Sequence, residues 1–313
     1  MITTLTMNPC VDHTVSIHDF RIGETNRVEN TRRDVGGKGV NVSAALHQMG
    51  LPTRCLCLGH GDGVMRGHLA AVGIPYTLLE VPGTTRVNLK IFDEDSGVMT
   101  ECNERGAPLT REDLESVRRA VTEHLPGSRL LTLNGSVPPG VPETFYKELI
   151  CLAKEAGIPT GLDAGGALLR RGVEAAPLFI KPNRDELKSA FGIEVADLTS
   201  AARACRDLAS SYGIGYIALS LGAEGALLVS AQGAWYTRGA DIHVRGVQGA
   251  GDSMVAGLCG GFYKGERDGA VLLRLAVAAA DASLEKPGTQ MCTAAESAAM
   301  YGRVSVETLF SGC

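Results

Sequence analysis

At 313 residues, 44% of them apolar, the chain has material for one large α/β domain or two small ones. A net charge of −5 supplies no global basic field, which argues against nucleic acid as a partner; any phosphorylated ligand must be met by a local cluster of Lys and Arg. No run approaches the roughly 18 uncharged apolar residues of a membrane helix, the opening Met1-Ile-Thr-Thr-Leu-Thr6 has no signal-like pattern, and nine scattered cysteines fit a reduced, cytoplasmic compartment better than a disulfide framework or a zinc site.

Short apolar, β-branched runs alternate with helical patterns along the chain. Strands are expected at Ile2–Thr6, Cys55–Leu58, Leu130–Leu133, Thr160–Leu162, Leu178–Ile180 and Tyr216–Leu219. Helices are expected between them, among others at Val40–Met49, Glu112–His124, Glu143–Ala156 and Ala201–Ser211. Thr110-Arg-Glu-Asp113 has the form of a capping box. The alternation predicts a mainly parallel sheet with helices on both faces, and the lack of a linker or repeat predicts a single domain over residues 1–313.

Two stretches break the pattern. Residues 11–35 are rich in charge and contain a strand-like Thr14–Ile17. Residues 85–102 read as two strands, Arg86–Phe92 and Val98–Cys102, around a polar turn. With no helix between their strands, they predict an antiparallel flap beside the main sheet, either a lid or ordinary surface hairpins. The polar residues have a pattern of their own. Asn134-Gly-Ser136, Asp163, Lys181-Pro-Asn183 and Ser220 each follow an apolar strand directly, and carboxyl ends of strands form the ligand crevice of an open α/β sheet.

Gly249-Ala-Gly-Asp252 leads into a helical pattern, so its glycines form a turn at a helix N-terminus. Free amides and the helix dipole make such a turn an anion site. Asp252 there is either a helix cap or a base that takes the proton of an attacking hydroxyl. Gly36-Gly-Lys-Gly39 is a second glycine turn before a helix, with Lys38 and Asn41 either facing a ligand or solvent. It matches neither the Walker A loop nor the dinucleotide fingerprint, which sets a nicotinamide dehydrogenase aside. Asn183 and Glu186 can cap a helix reciprocally; the functional alternative gives Glu186 a hydrated Mg2+. Strict alternation in Thr85-Arg-Val-Asn-Leu-Lys90 places Arg86, Asn88 and Lys90 on one strand face. With Lys38 and Arg27 they supply the required local cations.

Taken together these motifs resemble the PfkB carbohydrate kinases of the ribokinase superfamily. The resemblance rests on Thr6-Met-Asn-Pro9 with Asp12, Gly36-Gly-Lys-Gly-Val-Asn41, Thr85-Arg-Val-Asn88 and Asn134-Gly-Ser-Val-Pro-Pro-Gly140. It continues through Lys181-Pro-Asn-x-x-Glu186, Ser220-Leu-Gly-Ala-Glu-Gly225 and Gly249-Ala-Gly-Asp-Ser253, in the family's order over nearly the whole chain. Within the family the chain is most similar to kinases of fructose 1-phosphate, then to those of tagatose 6-phosphate and fructose 6-phosphate.

The resemblance implies a ribokinase-like three-layer α/β/α sandwich with a small β lid, and phosphoryl transfer from ATP, with Mg2+, to a sugar phosphate. It implies Asp252 as catalytic base and Gly249, Ala250 and Gly251 as anion hole. Asp12, Gly37, Lys38 and Asn41 would hold sugar hydroxyls, and Arg86, Lys90 and Ser136 the sugar's phosphate. Lys181, Asn183, Ser220, Gly222 and Gly225 would line the ATP site, with Asp163 and Glu186 near the metal. Arg27 would reach a neighbouring site in a homodimer formed through the lids. One departure bears on the nucleotide loop: Gly246-Val-Gln248 stands where many relatives have Asp-Thr. A non-catalytic sugar-phosphate sensor would be marked by loss of the base or anion hole, and both are intact.

Overall fold

The structure, a computed structural model, describes residues 1–246 and 248–311. Ten strands form one sheet: β1 (Ile2–Thr6), β4 (Thr53–Gly59), β5 (Tyr76–Glu80), β8 (Leu130–Asn134), β9 (Thr160–Asp163), β10 (Phe179–Ile180), β11 (Tyr216–Ser220), β12 (Ala226–Ser230), β13 (Gly233–Thr237) and β14 (Glu307–Ser311). Their order is β14-β13-β12-β11-β10-β9-β8-β1-β4-β5. Strands β11 through β5 in that order run parallel, and β12, β13 and β14 add an antiparallel edge. The six strands expected in this sheet are all present; β5 and the antiparallel edge are additions. Among the described residues, four further strands form a separate sheet of order β3-β2-β6-β7, made of β2 (Cys10–Ile17), β3 (Asn30–Gly36), β6 (Arg86–Asp93) and β7 (Val98–Asn103).

Helices cover both faces of the large sheet. One layer holds α1 (Lys38–Gln48), α2 (Val64–Val72), α8 (Ala250–Tyr263), α9 (Gly269–Leu284) and α10 (Ala294–Tyr301). The other holds α3 (Arg111–His124), α4 (Phe145–Glu155), α5 (Gly166–Gly172), α6 (Arg184–Phe191) and α7 (Leu198–Tyr212). Side chains alternate across a strand, and the two cores divide accordingly. Cys55, Cys57, Tyr216 and Ala218 face the first layer, while Leu56, Leu58, Ile217 and Leu219 face the second. That division makes the three layers. The capping box at Thr110 forms as expected: Asp113 N–H donates to Thr110 Oγ1 at 3.2 Å and Thr110 N–H to Asp113 Oδ2 at 2.8 Å.

The small sheet corrects the expectation of an antiparallel flap. Its two hairpins are antiparallel, but they join through β2 and β6 in parallel, with Cys10 opposite Arg86 and Ile17 opposite Asp93. The cause is topological. β2 follows β1 and β6 follows β5, both parallel strands of the main sheet, so both leave the same edge in the same direction.

Candidate active site

The polar residues at strand ends fall into register. Thr6 on β1 lies opposite Asn134 on β8, and Asn134 lies opposite Asp163 on β9. Lys181 follows β10 and is almost wholly buried, and Asn183 makes an isolated parallel bridge to Ser220 at the end of β11. One continuous polar edge results, from Thr6 to Ser220.

Charge concentrates near Asp163. Lys38, the first residue of α1, brings its ammonium to Asp163 Oδ1 at 3.1 Å and to Glu186 Oε1 at 3.6 Å, and Lys181 Nζ lies 3.4 Å from Asp163 Oδ1. Lys38 is thus on the carboxylate pair rather than apart with the hydroxyl-holding residues. Burial alone would raise the Asp163 carboxyl, but Lys181 and Lys38 outweigh it and hold it below its ordinary range. Burial acts against the Lys38 charge too, yet Asp163, Glu186 and Asp252 keep it more firmly protonated than usual. Asp163 Oδ2 is buried with no hydrogen-bond partner among the described residues. Glu186 serves twice: its Oε2 accepts from Asn183 N–H at 2.9 Å in the expected capping box, and its Oε1 faces Lys38. The cap and the carboxylate toward the site are compatible.

Helix α8 opens at Gly249, whose φ of 78° is left-handed. The N–H groups of Ala250, Gly251 and Asp252 begin the helix and have no partner within it. Asp252 is not the cap of this helix. It stands at the third helical position and makes no capping bond; instead its Oδ2 accepts from Asn41 Nδ2 at 2.7 Å, and Oδ1 has no hydrogen-bond partner among the described residues. The carboxylate is 7% exposed. Burial and the neighbouring Asp163 push it up to about 6, against the opposing pull of Lys38, the Asn41 bond and Lys181. It is therefore still ionised at neutral pH, despite rather than because of its surroundings.

On the lid, Arg86, Asn88 and Lys90 share a face, as strict alternation requires, but that face is not a solvated one. Asn88 and Lys90 are buried. Lys90 donates to Asp12 Oδ2 at 3.1 Å and lies 3.8 Å from Glu101, and Asn88 donates to Asp12 Oδ1 at 3.0 Å. The Lys90 charge is thus spent on Asp12, which it holds in place. Arg86 makes no ion pair among the described residues; its Nε donates to Asn8 O and its Nη1 to Asn88 Oδ1 and Glu104 O.

An open pocket of about 350 Å³ lies between the lid and the strand ends, lined by Asn8, Lys38, Arg86, Asn134, Ser136 and Glu186 among others. Gly37 and Gly39 have packing reasons to be glycine: a Cβ on Gly37 would approach Thr6 Cγ2 to 2.9 Å, and one on Gly39 would lie 2.7 Å from Leu5 O. Gly222 and Gly225 lie past the end of β11, outside the pocket lining. A Cβ on Gly225 would come within 2.0 Å of Thr237 O, so close strand contact accounts for that glycine. Arg27 is exposed in the connection between β2 and β3 and does not line the pocket. Val247 of the departing loop lies outside the described residues, while the Oε1 of neighbouring Gln248 is buried without a partner among the described residues. Asn8 is absent from the site expected from sequence; its signal is the one used for Asn134, a polar residue just beyond a strand's carboxyl end.

The model of the pfkB family carbohydrate kinases matches residues 5–296. The chain belongs to this family. A carbohydrate kinase is a phosphotransferase, and ATP is one of its substrates. Among curated relatives, the 1-phosphofructokinase of Rhodobacter capsulatus is 36% identical over 311 residues, covering 98% of both chains. That of Escherichia coli K12 is 33% identical over 313 residues, again with 98% of each covered. The structure of phosphofructokinase-2 from Escherichia coli in complex with substrates and products superposes with a TM-score of 0.88 at 26% identity, over 96% of this chain and 98% of that one. The ribokinase-like three-layer fold expected from the motifs is thereby shown.

Proposed function

We propose that this pfkB kinase transfers the γ-phosphate of ATP to fructose 1-phosphate, giving fructose 1,6-bisphosphate and ADP. The observation that carries the chemistry is the Asp252 carboxylate, buried at the start of α8 with its Oδ2 held by Asn41. The full-length similarity to 1-phosphofructokinases supports the choice of sugar.

In this reading Arg86 and Ser136 meet the substrate's existing phosphate, and Asp12 and Asn41 its hydroxyls. The attacking hydroxyl gives its proton to Asp252 Oδ1 as its oxygen bonds to the γ-phosphorus. The bond from that phosphorus to the β–γ bridging oxygen breaks, and ADP leaves. The amides of Ala250 and Gly251, with Gly249 shaping the turn, stabilise charge on the transferred group, and Lys181 adds a nearby cation. Asn183, Ser220 and Gly222 lie on the nucleotide side. The lid excludes water from the transfer.

Residues 1–313 form one kinase domain with a discontinuous lid. The two carboxylates Asp163 and Glu186 fit Mg2+, which is held by one or two carboxylates together with substrate phosphates and retained waters; Asp163 Oδ2, without a hydrogen-bond partner among the described residues, is available as a ligand oxygen. Bound Mg2+ supplies neutralisation of phosphate charge. Among the described residues, four of the five large exposed apolar side chains, Ile22, Val28, Val98 and Met99, lie on the lid, which supports a homodimer through it. Eight free cysteines among the described residues, and no described helix long and apolar enough to cross a membrane, support a cytoplasmic enzyme.

A coupled ADP-release assay against fructose 1-phosphate, tagatose 6-phosphate and fructose 6-phosphate tests the reading. The highest kcat/KM should fall on fructose 1-phosphate, and chelation of divalent cations should abolish turnover. A tenfold preference for another hexose phosphate reassigns the substrate; ADP release with none of them restores the sensor reading.

A further inference from the structure

Asn8 belongs to none of the roles above, yet it touches each part of the phosphate end of the pocket. It is 8% exposed, in the turn after β1. Its Nδ2 donates to Arg105 O at 3.2 Å and to Ser136 Oγ at 3.2 Å, and its main-chain oxygen accepts from Arg86 Nε at 3.2 Å. The orientation of the amide follows from chemistry: Arg105 O can only accept, so the atom facing it is the nitrogen. Gly106, with φ of 87°, closes over the other side, where a Cβ would lie 2.5 Å from Asn8 Oδ1.

Two consequences follow for proton direction. Ser136 Oγ accepts from Asn8, so its own hydroxyl hydrogen is left to donate into the pocket. Arg86 has Nε fixed on Asn8 O and Nη1 on Asn88 Oδ1 and Glu104 O, which leaves both Nη2 hydrogens without an acceptor among the described residues. Both residues line the pocket. A serine hydroxyl with its hydrogen free to donate, and the free edge of a guanidinium, form a preset receptor for a phosphate dianion.

We propose that Asn8 is the positioning residue of the sugar-phosphate site, setting Ser136 as a donor and turning Arg86 so that its free edge faces the phosphate. The inference rests on the sugar-phosphate kinase reading and adds that affinity for the substrate's phosphate depends on this side-chain amide through Ser136, since the main-chain oxygen that holds Arg86 is kept in every position-8 variant. Aspartate at position 8 has nearly the same shape, but it cannot donate: Ser136 would turn its hydrogen toward the carboxylate, and a negative charge would face the phosphate.

The test is calorimetric binding of fructose 1-phosphate to the intact enzyme without ATP, alongside steady-state kinetics. Asn8→Ser, which keeps one donor, should weaken binding least, Asn8→Ala about tenfold, and Asn8→Asp about a hundredfold. KM for the sugar phosphate should rise in that order, with kcat moving much less and KM for ATP staying within about twofold. A purely structural role would instead move ATP binding and thermal stability in parallel with the size of the change. Should Asn8→Asp not fold, the Ser and Ala variants carry the ordering. Sugar-phosphate binding within twofold of the parent in all folded variants overturns the proposal. Arg86→Ala then shows whether the phosphate reading falls with it: weakened binding there keeps the reading, and unchanged binding removes both.

Discussion

The carboxyl of Asp252 is raised from 3.8 to about 6, and this single value links activity to stability. As a base it must be ionised, so kcat/KM should fall about tenfold per pH unit below about pH 6. Between pH 3.8 and 6 the folded state holds the proton more tightly than the unfolded chain, so stability declines as pH rises through that window. Above it, the buried ionised carboxylate costs on the order of 2–3 kcal/mol. An amide in its place could still accept from Asn41 without that cost. Asp252→Asn should therefore lose 10²- to 10⁴-fold in kcat and yet melt at a higher temperature than the parent at pH 8, with the difference vanishing near pH 4. Near-normal kcat at saturating substrates would remove the base; equal melting temperatures at pH 8 would remove the burial argument.

Helix α1 shows how an element's start is set by what lies under it. Its first turn passes so near β1 that a Cβ on Gly39 would sit 2.5 Å from Thr6 Oγ1 and 2.7 Å from Leu5 O. Backbone cannot yield as a side chain can, so Gly39→Ala should destabilise by about 1–3 kcal/mol. It should also lower activity, because the same turn carries Lys38 and Asn41. Gly67, within α2, has nothing within 4 Å of an added Cβ and an ordinary helical φ. Gly67→Ala should stabilise by about 0.5–1 kcal/mol. Urea denaturation of the two variants checks both signs, and a shared sign would contradict the packing account.

At the scale of the whole molecule, one chain is expected to complete another's site. Arg27 sits in the exposed lid connection between Ile22 and Val28, which are 94% and 52% exposed. In a homodimer paired through the lids, Arg27 of one chain would serve its partner. Mixing Arg27→Ala with Asp252→Asn tests this. A heterodimer holds one site with both an intact base and a native Arg27, so activity should recover to about a quarter of the parent's at equal mixing. No recovery, with light scattering showing that mixed dimers form, would confine Arg27 to its own chain or to no role.

Much of this was legible in the residues because it depends on local periodicity and local chemistry. The alternation of apolar strand runs with helical patterns was enough to predict a mainly parallel sheet with helices on both faces. Capping boxes at Thr110 and Asn183 need only a tetrapeptide, and seven motifs in order pointed to the family. What no local pattern could decide is which charges meet. Lys38 and Asp163, 125 residues apart, form an ion pair, and Asn41 orients Asp252 across 211 residues. Lys90 looks free in sequence but is taken by Asp12 once β2 and β6 align in parallel. Asp252 looked equally able to cap a helix, and only its depth and its neighbours place its carboxyl near 6. Periodicity is a property of adjacent residues, whereas ion pairs and burial depend on how distant segments are brought together, and that was decided by the tertiary fold.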